Sequence, residues 1–321
     1  MTNPTGTQFY HNYPMGPQLR RWLGIQASAY SGDKKHNISG EEKKSFSEFL
    51  LAFIKENQLE SESTLVNLMD ELLAMDLPFL VLKIVDYNQE VWKKTDFRGL
   101  HAEGLAAMLS SELPRAEDCF VKAQAAAPLE PAPYVNLVRI YHYDKHWDDS
   151  LPWIDAGLKT NPNYFPLWEL LLENVQAKFA EMKDILPVIK ERAHSLHSWA
   201  GMSLFTDIDP LSNSQSKAAA LEQFYNNGER DEAFLIEYTG ALGAANQFAT
   251  IPSIIWQAEK HDGKPSAWRL QLHKLQAHLA LDQKEIFLSQ VPSILKNPDL
   301  PAHIQTELTE LFTEVQKEMP S

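Results

Sequence analysis

Residues 97–130, FRGLHAEGLAAMLSSELPRAEDCFVKAQAAAPLE, are followed by residues 131–164, PAPYVNLVRIYHYDKHWDDSLPWIDAGLKTNPNY, and the two blocks keep step when one is laid on the other. A shift of 34 residues puts Leu100 on Tyr134 and then on Trp168, Gly104 on Val138 and Leu172, and Ala107 on Tyr141 and Val175. Farther along, Ala116 falls on Ser150, Phe120 on Ile154, Ala123 on Gly157 and Pro128 on Pro162. The register runs from residue 97 to about residue 174, setting bulky apolar positions against small ones and closing each block on proline.

These residue types recur for a physical reason. If each block is a pair of antiparallel helices, small residues such as Gly104, Ala116, Ser150 and Gly157 let the helices approach closely, while Phe120, Tyr134, Tyr141 and Trp168 fill the space between pairs. One pair cannot bury its apolar face alone, so pairs stack. Pro128 and Pro162 stop the second helices, because the residue before a proline is pushed out of the helical region. Pro114 and Pro152 fall in early turns of those helices, where a missing N–H costs least.

The period and the order of residue types resemble the tetratricopeptide repeat, with the second block the better match and Glu103 standing where the first lacks an aliphatic residue. The resemblance implies an all-α fold, a right-handed α-solenoid of antiparallel helix pairs, and a non-enzymatic scaffold or adaptor that holds a partner protein or peptide. In that family the first helices line a concave groove for an extended peptide or a helix. Carried over by phase, the groove would take Arg98, His101, Leu105 and Met108 from the first block, Asn136, Arg139, His142 and Tyr143 from the second, and Glu169 and Glu173 from a less regular third. Two arginines and two histidines then gather on one surface, which points to an acidic or carboxylate-bearing partner met by charge-assisted hydrogen bonds. Tyr143 and Met108 add apolar contact. The family's carboxylate clamp for chaperone C-termini needs Lys and Asn in slots held here by His101 and Leu105, and only Asn136 matches, so a chaperone co-factor role is not expected.

Composition bounds the rest. The 321 residues exceed one average domain, although a solenoid can reach this length undivided. With 43 acidic against 29 basic residues the formal charge is -14, which disfavours nucleic acid and anionic membrane surfaces. The N-terminal residues lack a basic start with an apolar core, and no stretch of about 18 apolar residues exists to span a bilayer, so a cytoplasmic protein without membrane insertion is expected. Cys119 is the only cysteine and reads as a packing residue beside Phe120.

Residues 1–17 carry three prolines and two glycines among Phe9, Tyr10 and Tyr13 and read as a flexible tail; residues 18–30 read as a short amphipathic helix. Ser39 with Glu42 forms a capping-box pattern before Phe46, Phe49, Leu50, Phe53 and Ile54, and further helices are expected from Ser61 and from Pro78. Residues 18–96 are thus a helical cap or degenerate repeats, and 97–197 the repeats proper, the third irregular because its second helix carries Pro187 and lacks the small-residue phase. Residues 198–216, rich in Ser, Asp and Asn with Pro210, read as a joint, and 217–321 as degenerate repeats. The last of these ends in an amphipathic capping helix through Ile304, Leu308, Leu311, Phe312 and Val315. No period-two alternation marks a strand.

Chemistry leaves few marks. Nucleotide-binding glycine loops, H-E-x-x-H, C-x-x-C and G-x-S-x-G are all missing from the sequence, so no catalytic residue, metal or cofactor is assigned. His142 and His146 stand four apart, but the second lies in the expected turn, and the single Glu191-x-x-His194 lacks the partners that a di-iron site needs. The competing reading is an all-α enzyme or enzyme subunit with its site in the irregular N- or C-terminal helical regions, the joint near Asp207 and Asp209 being one such place.

Overall fold

The computed structural model describes residues 40–56, 58–59, 61–88 and 97–319. The tail over 1–17, the helix over 18–30 and the Ser39 side of the capping box lie outside them. The chain divides into two compact units, Met1–Asn161 and Pro162–Ser321. Sixteen α-helices and no strand occur among the described residues.

In the first unit α1 (Gly40–Glu56) precedes three helix pairs: α2 (Glu62–Ala74) with α3 (Pro78–Tyr87), α4 (Phe97–Leu109) with α5 (Leu113–Ala126), and α6 (Pro131–Tyr143) with α7 (Trp147–Thr160). First helices start at 62, 97 and 131, close to the 34-residue step, so the segment before residue 97 contains a further pair in phase. Ser61 caps α2 through its side chain and Pro78 opens α3. Leu50, Phe53 and Ile54 of α1 join Leu65, Leu68, Leu80 and Ile84 in a core continuous with Phe120 and Leu137.

The second unit continues the pattern past the point where the sequence loses it. Its first helices are α8 (Phe165–Lys178), α10 (Trp199–Ile208), α12 (Glu232–Ala244), α14 (Trp268–Ala280) and α16 (Ala302–Glu318), starting at 165, 199, 232, 268 and 302. The second helices between them are α9 (Met182–Ser195), α11 (Ser214–Asn226), α13 (Ile251–Asp262) and α15 (Lys284–Ile294). The irregular third block is a displaced pair: α7 buries Ser150, Ile154 and Leu158, and α9 buries Ile185, Ile189 and Ala193, so its second helix has slipped by one residue against the 34-residue step. Pro187 does not break it; like Pro152 it lies six residues into its helix. Where a joint is expected, α10 buries Trp199, Ala200 and Leu204, and Ser198 caps it by accepting from the Gly201 N–H. Within 198–216, Ser198 caps α10, and Asn213 with Ser216 forms a capping box on α11. At the end of the chain Ile304, Leu308, Phe312 and Val315 of α16 pack on Leu275, Phe287 and Val291.

A turn repeats along with the helices. Asp76, Ser111 and Lys145 of the first unit, and Asn246 and Asp282 of the second, all have φ between 56° and 63° where a first helix gives way to its second. In each case the next N–H reaches back to the carbonyl five residues earlier: Leu77 to Leu72, Glu112 to Ala107, His146 to Tyr141, Gln247 to Leu242 and Gln283 to His278. This 6→1 closure satisfies end-of-helix carbonyls around a left-handed residue.

The tightest packing is at two glycines. A Cβ on Gly104 would stand 2.7 Å from the Phe120 ring, and one on Gly201 would stand 2.6 Å from the Trp168 ring and 2.8 Å from Ala193 Cβ. Trp168 and Phe120 are fully buried, so neither ring has room to yield. Gly201→Ala and Gly104→Ala are each expected to destabilise by about 1–3 kcal/mol through overpacking. Gly243→Ala, which meets only ordinary contacts from 3.7 Å, should be neutral or stabilising by up to about 1 kcal/mol. Thermal melts of the three variants check this, and equal melting temperatures for all three would contradict the packing described.

Candidate functional site

The face that the resemblance marks out in the first unit is carried by α4 and α6. Tyr134, Leu137 and Val138 are buried, which turns Arg139 and Tyr143 to solvent. Tyr143 is 77% exposed, and Leu109, which falls on it at a shift of 34, is 54% exposed. Consecutive pairs thus present a large apolar side chain at the same position, the last residue of the first helix. Leu109 was not among the residues expected in the groove, although the slide that pairs Leu100 with Tyr134 also pairs Leu109 with Tyr143.

The other expected residues differ in their surroundings. Arg98 is exposed but engaged: its Nη2 lies 2.7 Å from Asp70 Oδ2 and donates to Asn67 Oδ1 at 3.1 Å, tying α4 to α2. Leu105 and Met108 are half-buried against the first unit's core. His142 is half-buried, its ring 4.5 Å from the Trp147 ring. Glu169 and Glu173 are exposed on α8 of the second unit. Arg139 makes no ion pair among the described residues and is the cation this face offers to solvent.

His101 does not belong to a cationic patch. Its ring stacks on Phe97 and tilts against Phe120, both at 5.7 Å, and burial lowers its pKa to about 4. Its Nε2 lies 3.1 Å from Asn136 Nδ2. An amide nitrogen only donates, so Nε2 must accept and the ring must be neutral with its proton on Nδ1. Asn136, 4% exposed, is spent on this bond between successive first helices and is not available as a clamp for a carboxylate.

In the second unit the corresponding helices are linked by side chains about one repeat apart. Ser203 Oγ donates to Glu237 Oε1 at 2.6 Å, and Thr239 Oγ1 lies 2.8 Å from His273 Nδ1. Lys217 Nζ stands 2.8 Å from Asp207 and 2.7 Å from Glu237. Burial pulls the Lys217 ammonium down, but hydrogen bonds to both carboxylates outweigh it and hold the group above its usual range. Asp209 accepts from the Leu211 N–H and the Ser212 hydroxyl. Asp207 and Asp209, one place where the enzyme reading could put its site, are engaged in local structure.

His146 is exposed with Nδ1 3.7 Å from Asp149, and Glu191 and His194 are exposed on α9. Among the described residues no group of three or more His, Cys, Asp or Glu is placed to hold a metal ion, and no helix is long and apolar enough to cross a membrane. Cys119 is buried, and burial, with Glu103 and Asp118 nearby, pushes its thiol up to about 12, leaving it protonated and unreactive.

The His101 environment has a consequence for stability against pH. Its folded pKa, about 4, lies below the ordinary 6.5, so the unfolded chain binds the extra proton first. The contribution is present above pH 6.5 and is lost as pH falls from 6.5 toward 4, to a total of roughly 3 kcal/mol. The His101 ring proton is expected to titrate near pH 4 by NMR, and His101→Gln should flatten the fall in melting temperature between pH 6.5 and 4. Titration near 6.5 would contradict a buried, accepting imidazole.

No family model matches the chain, and no curated protein sequence matches it either. Among solved structures it is similar to that titled "Crystal Structure of the Yeast Tom70", with 12% sequence identity over 99% of this chain and 67% of that one, at a TM-score of 0.48. At that level the likeness says nothing of partners. The helix starts, the repeated turn and the ring-on-glycine contacts described above are what identify this chain as an all-α protein of stacked, tetratricopeptide-like helix pairs.

Proposed function

We propose that this chain is a protein-binding scaffold of the cytoplasm, without chemistry of its own, that receives a partner segment along the first-helix face of its first unit. The observation that carries the reading is the pair Leu109 and Tyr143, large apolar side chains held in solvent at one register position of consecutive repeats. Exposed apolar side chains set at a fixed spacing suit a partner that presents its own side chains at regular intervals, as an extended strand or one face of a helix does. Arg139, one turn before Tyr143, supplies a charge for a carboxylate on that partner. The acidic character of the partner rests on this one arginine rather than on a patch of four cations, since Arg98 is paired and His101 is neutral.

Tyr and Arg are the side chains most often found to dominate interfaces. Both are solvent-exposed here, so truncating them should leave the fold intact, with a stability change below about 0.5 kcal/mol each. The variant Arg139→Ala with Tyr143→Ala is expected to keep the wild-type helical spectrum and melting point. It should weaken a partner recovered with the wild-type protein by about tenfold or more, equivalent to at least 1.4 kcal/mol. Isothermal titration of that purified partner makes the measurement. Unchanged affinity would remove this face from the binding site, and unfolding of the variant would show that the assigned phase is wrong.

A further inference from the structure

The first unit has a groove that the proposed function only borders. It holds about 960 Å³ between α1, α3 and the turn after α4. Its walls are apolar: Leu51 of α1, Pro78, Phe79 and Leu82 of α3, and Leu109, the residue already assigned to the partner face. Leu51 and Phe79 are half-buried and Leu109 is exposed, so an occupant would take apolar surface of all three out of water. The rim carries both signs. Lys43, whose Nζ lies 5.6 Å over the Phe79 ring, stands with Lys44 and Lys83 beside Glu48 and Asp76, and none of the five is in an ion pair among the described residues. Asp86 and Glu112, also on the rim, hold Arg115. A mixed rim selects neither a free anion nor a free cation; it suits an occupant that brings an apolar face with charges beside it.

Such a segment is attached to the groove's own wall. Lys43, Lys44, Ser47 and Glu48 line the groove from the first turns of α1, so the chain enters α1 at Gly40 alongside it. Just ahead in sequence, residues 18–30, QLRRWLGIQASAY, set Leu19, Trp22 and Leu23 at helical spacing with Arg20 and Arg21 between them. The residues 31–39 that join the two can reach about 30 Å at ~3.3 Å each, well beyond the roughly 12 Å of helix from Lys43 to Leu51. Charge points the same way. Residues 1–39 carry four basic residues against one acidic, in a chain with 29 against 43, so the segment is drawn to the rest of the molecule. We propose that residues 18–30 dock in this groove as an amphipathic helix, with Trp22 and Leu23 against Phe79 and Leu109 and the two arginines toward Glu48 and Asp76. Tethering favours this occupant over any free peptide, because a short linker holds the segment at an effective concentration on the order of millimolar. The docked segment covers Leu109, so it competes with the partner for one of the two apolar anchors. That competition, unlike the docking itself, rests on the function proposed above.

The test uses the full chain, labelled with ¹⁵N and carrying a nitroxide on Ser28→Cys. Cys119 is buried and its thiol stays protonated, so the label goes to the introduced cysteine alone. The amide signals of Phe79, Lys83 and Ser110 are expected to be broadened relative to the same sample with the nitroxide reduced. Trp22→Asp with Leu23→Asp should restore them, and so should Leu109→Asp, a change at an exposed wall of the groove. Signals that stay sharp in the labelled chain, or that stay broadened in both variants as tether proximity alone would leave them, would overturn the docking. Isothermal titration of a partner recovered with the wild-type chain reads the competition separately. A segment docked about nine-tenths of the time weakens the partner about tenfold, so the Trp22→Asp, Leu23→Asp chain should bind it about tenfold more tightly. Equal affinity, with the broadening intact in the labelled chain, would overturn the competition and leave the docking standing.

Discussion

An aromatic side chain seated against a residue too small to obstruct it is the contact on which the rest of the architecture depends. Phe120 lies where a Cβ on Gly104 would have to be, and Trp168 where one on Gly201 would be. That proximity fixes the distance between neighbouring helices. A polar tip then fixes the connection before the next pair: Tyr134 Oη donates to the Pro128 carbonyl at 2.9 Å, and Trp168 Nε1 donates to the Pro162 carbonyl at 2.7 Å. Each of these prolines stops a second helix, and its carbonyl, which lies outside the helical ladder, takes its donor from the ring. Ring and proline recur at the 34-residue step, whereas the glycine beside a ring does not: Gly104 lies on the partner helix of Phe120's own pair, and Gly201 on the first helix of the pair after Trp168's.

The features that recur at one step are the ones legible in the sequence. Residues 97–174 keep the bulky positions and the closing proline at a spacing of 34 residues, while Gly104 falls on Val138 and Leu172. The later pairs keep the geometry while changing how it is met. In α9 the buried set is slipped by one residue, and in α12 the core is made by Phe234 and Tyr238, whose rings stack 5.8 Å apart and meet Trp199 and Tyr225. The turn between the helices of a pair was equally hidden. Its left-handed residue is Asp, Ser, Lys or Asn rather than glycine, because the 6→1 hydrogen bond and the packing of the flanking helices hold the position. A search for glycine punctuation passes over such a turn.

The face was easier to read than its chemistry. Helical phase places Arg139 and Tyr143 outward correctly, since it depends only on which positions the core takes. It cannot tell whether an outward residue is already occupied. Arg98 looked like a free cation until Asp70, 28 residues earlier in sequence, was seen beside it. His101 looked like another until the Phe97 and Phe120 rings and the Asn136 amide around it made the neutral tautomer the stable one. Counting charges along a helix assigns each ionisable group its solution behaviour, and burial by neighbours from other repeats is what cancels that behaviour.

Both units spend side-chain hydrogen bonds on holding successive first helices together; in the first, Arg98 reaches Asn67 and Asp70, and His101 meets Asn136. In the second, Ser203 with Glu237 and Thr239 with His273 spend their hydrogen bonds on holding successive first helices together, and Lys217 adds its charge to that network. A ligand placed there would have to compete with satisfied, partly buried bonds, which is costly because each broken partner leaves another unmet. The first unit leaves Leu109, Arg139 and Tyr143 on the equivalent helices uncommitted to such a network.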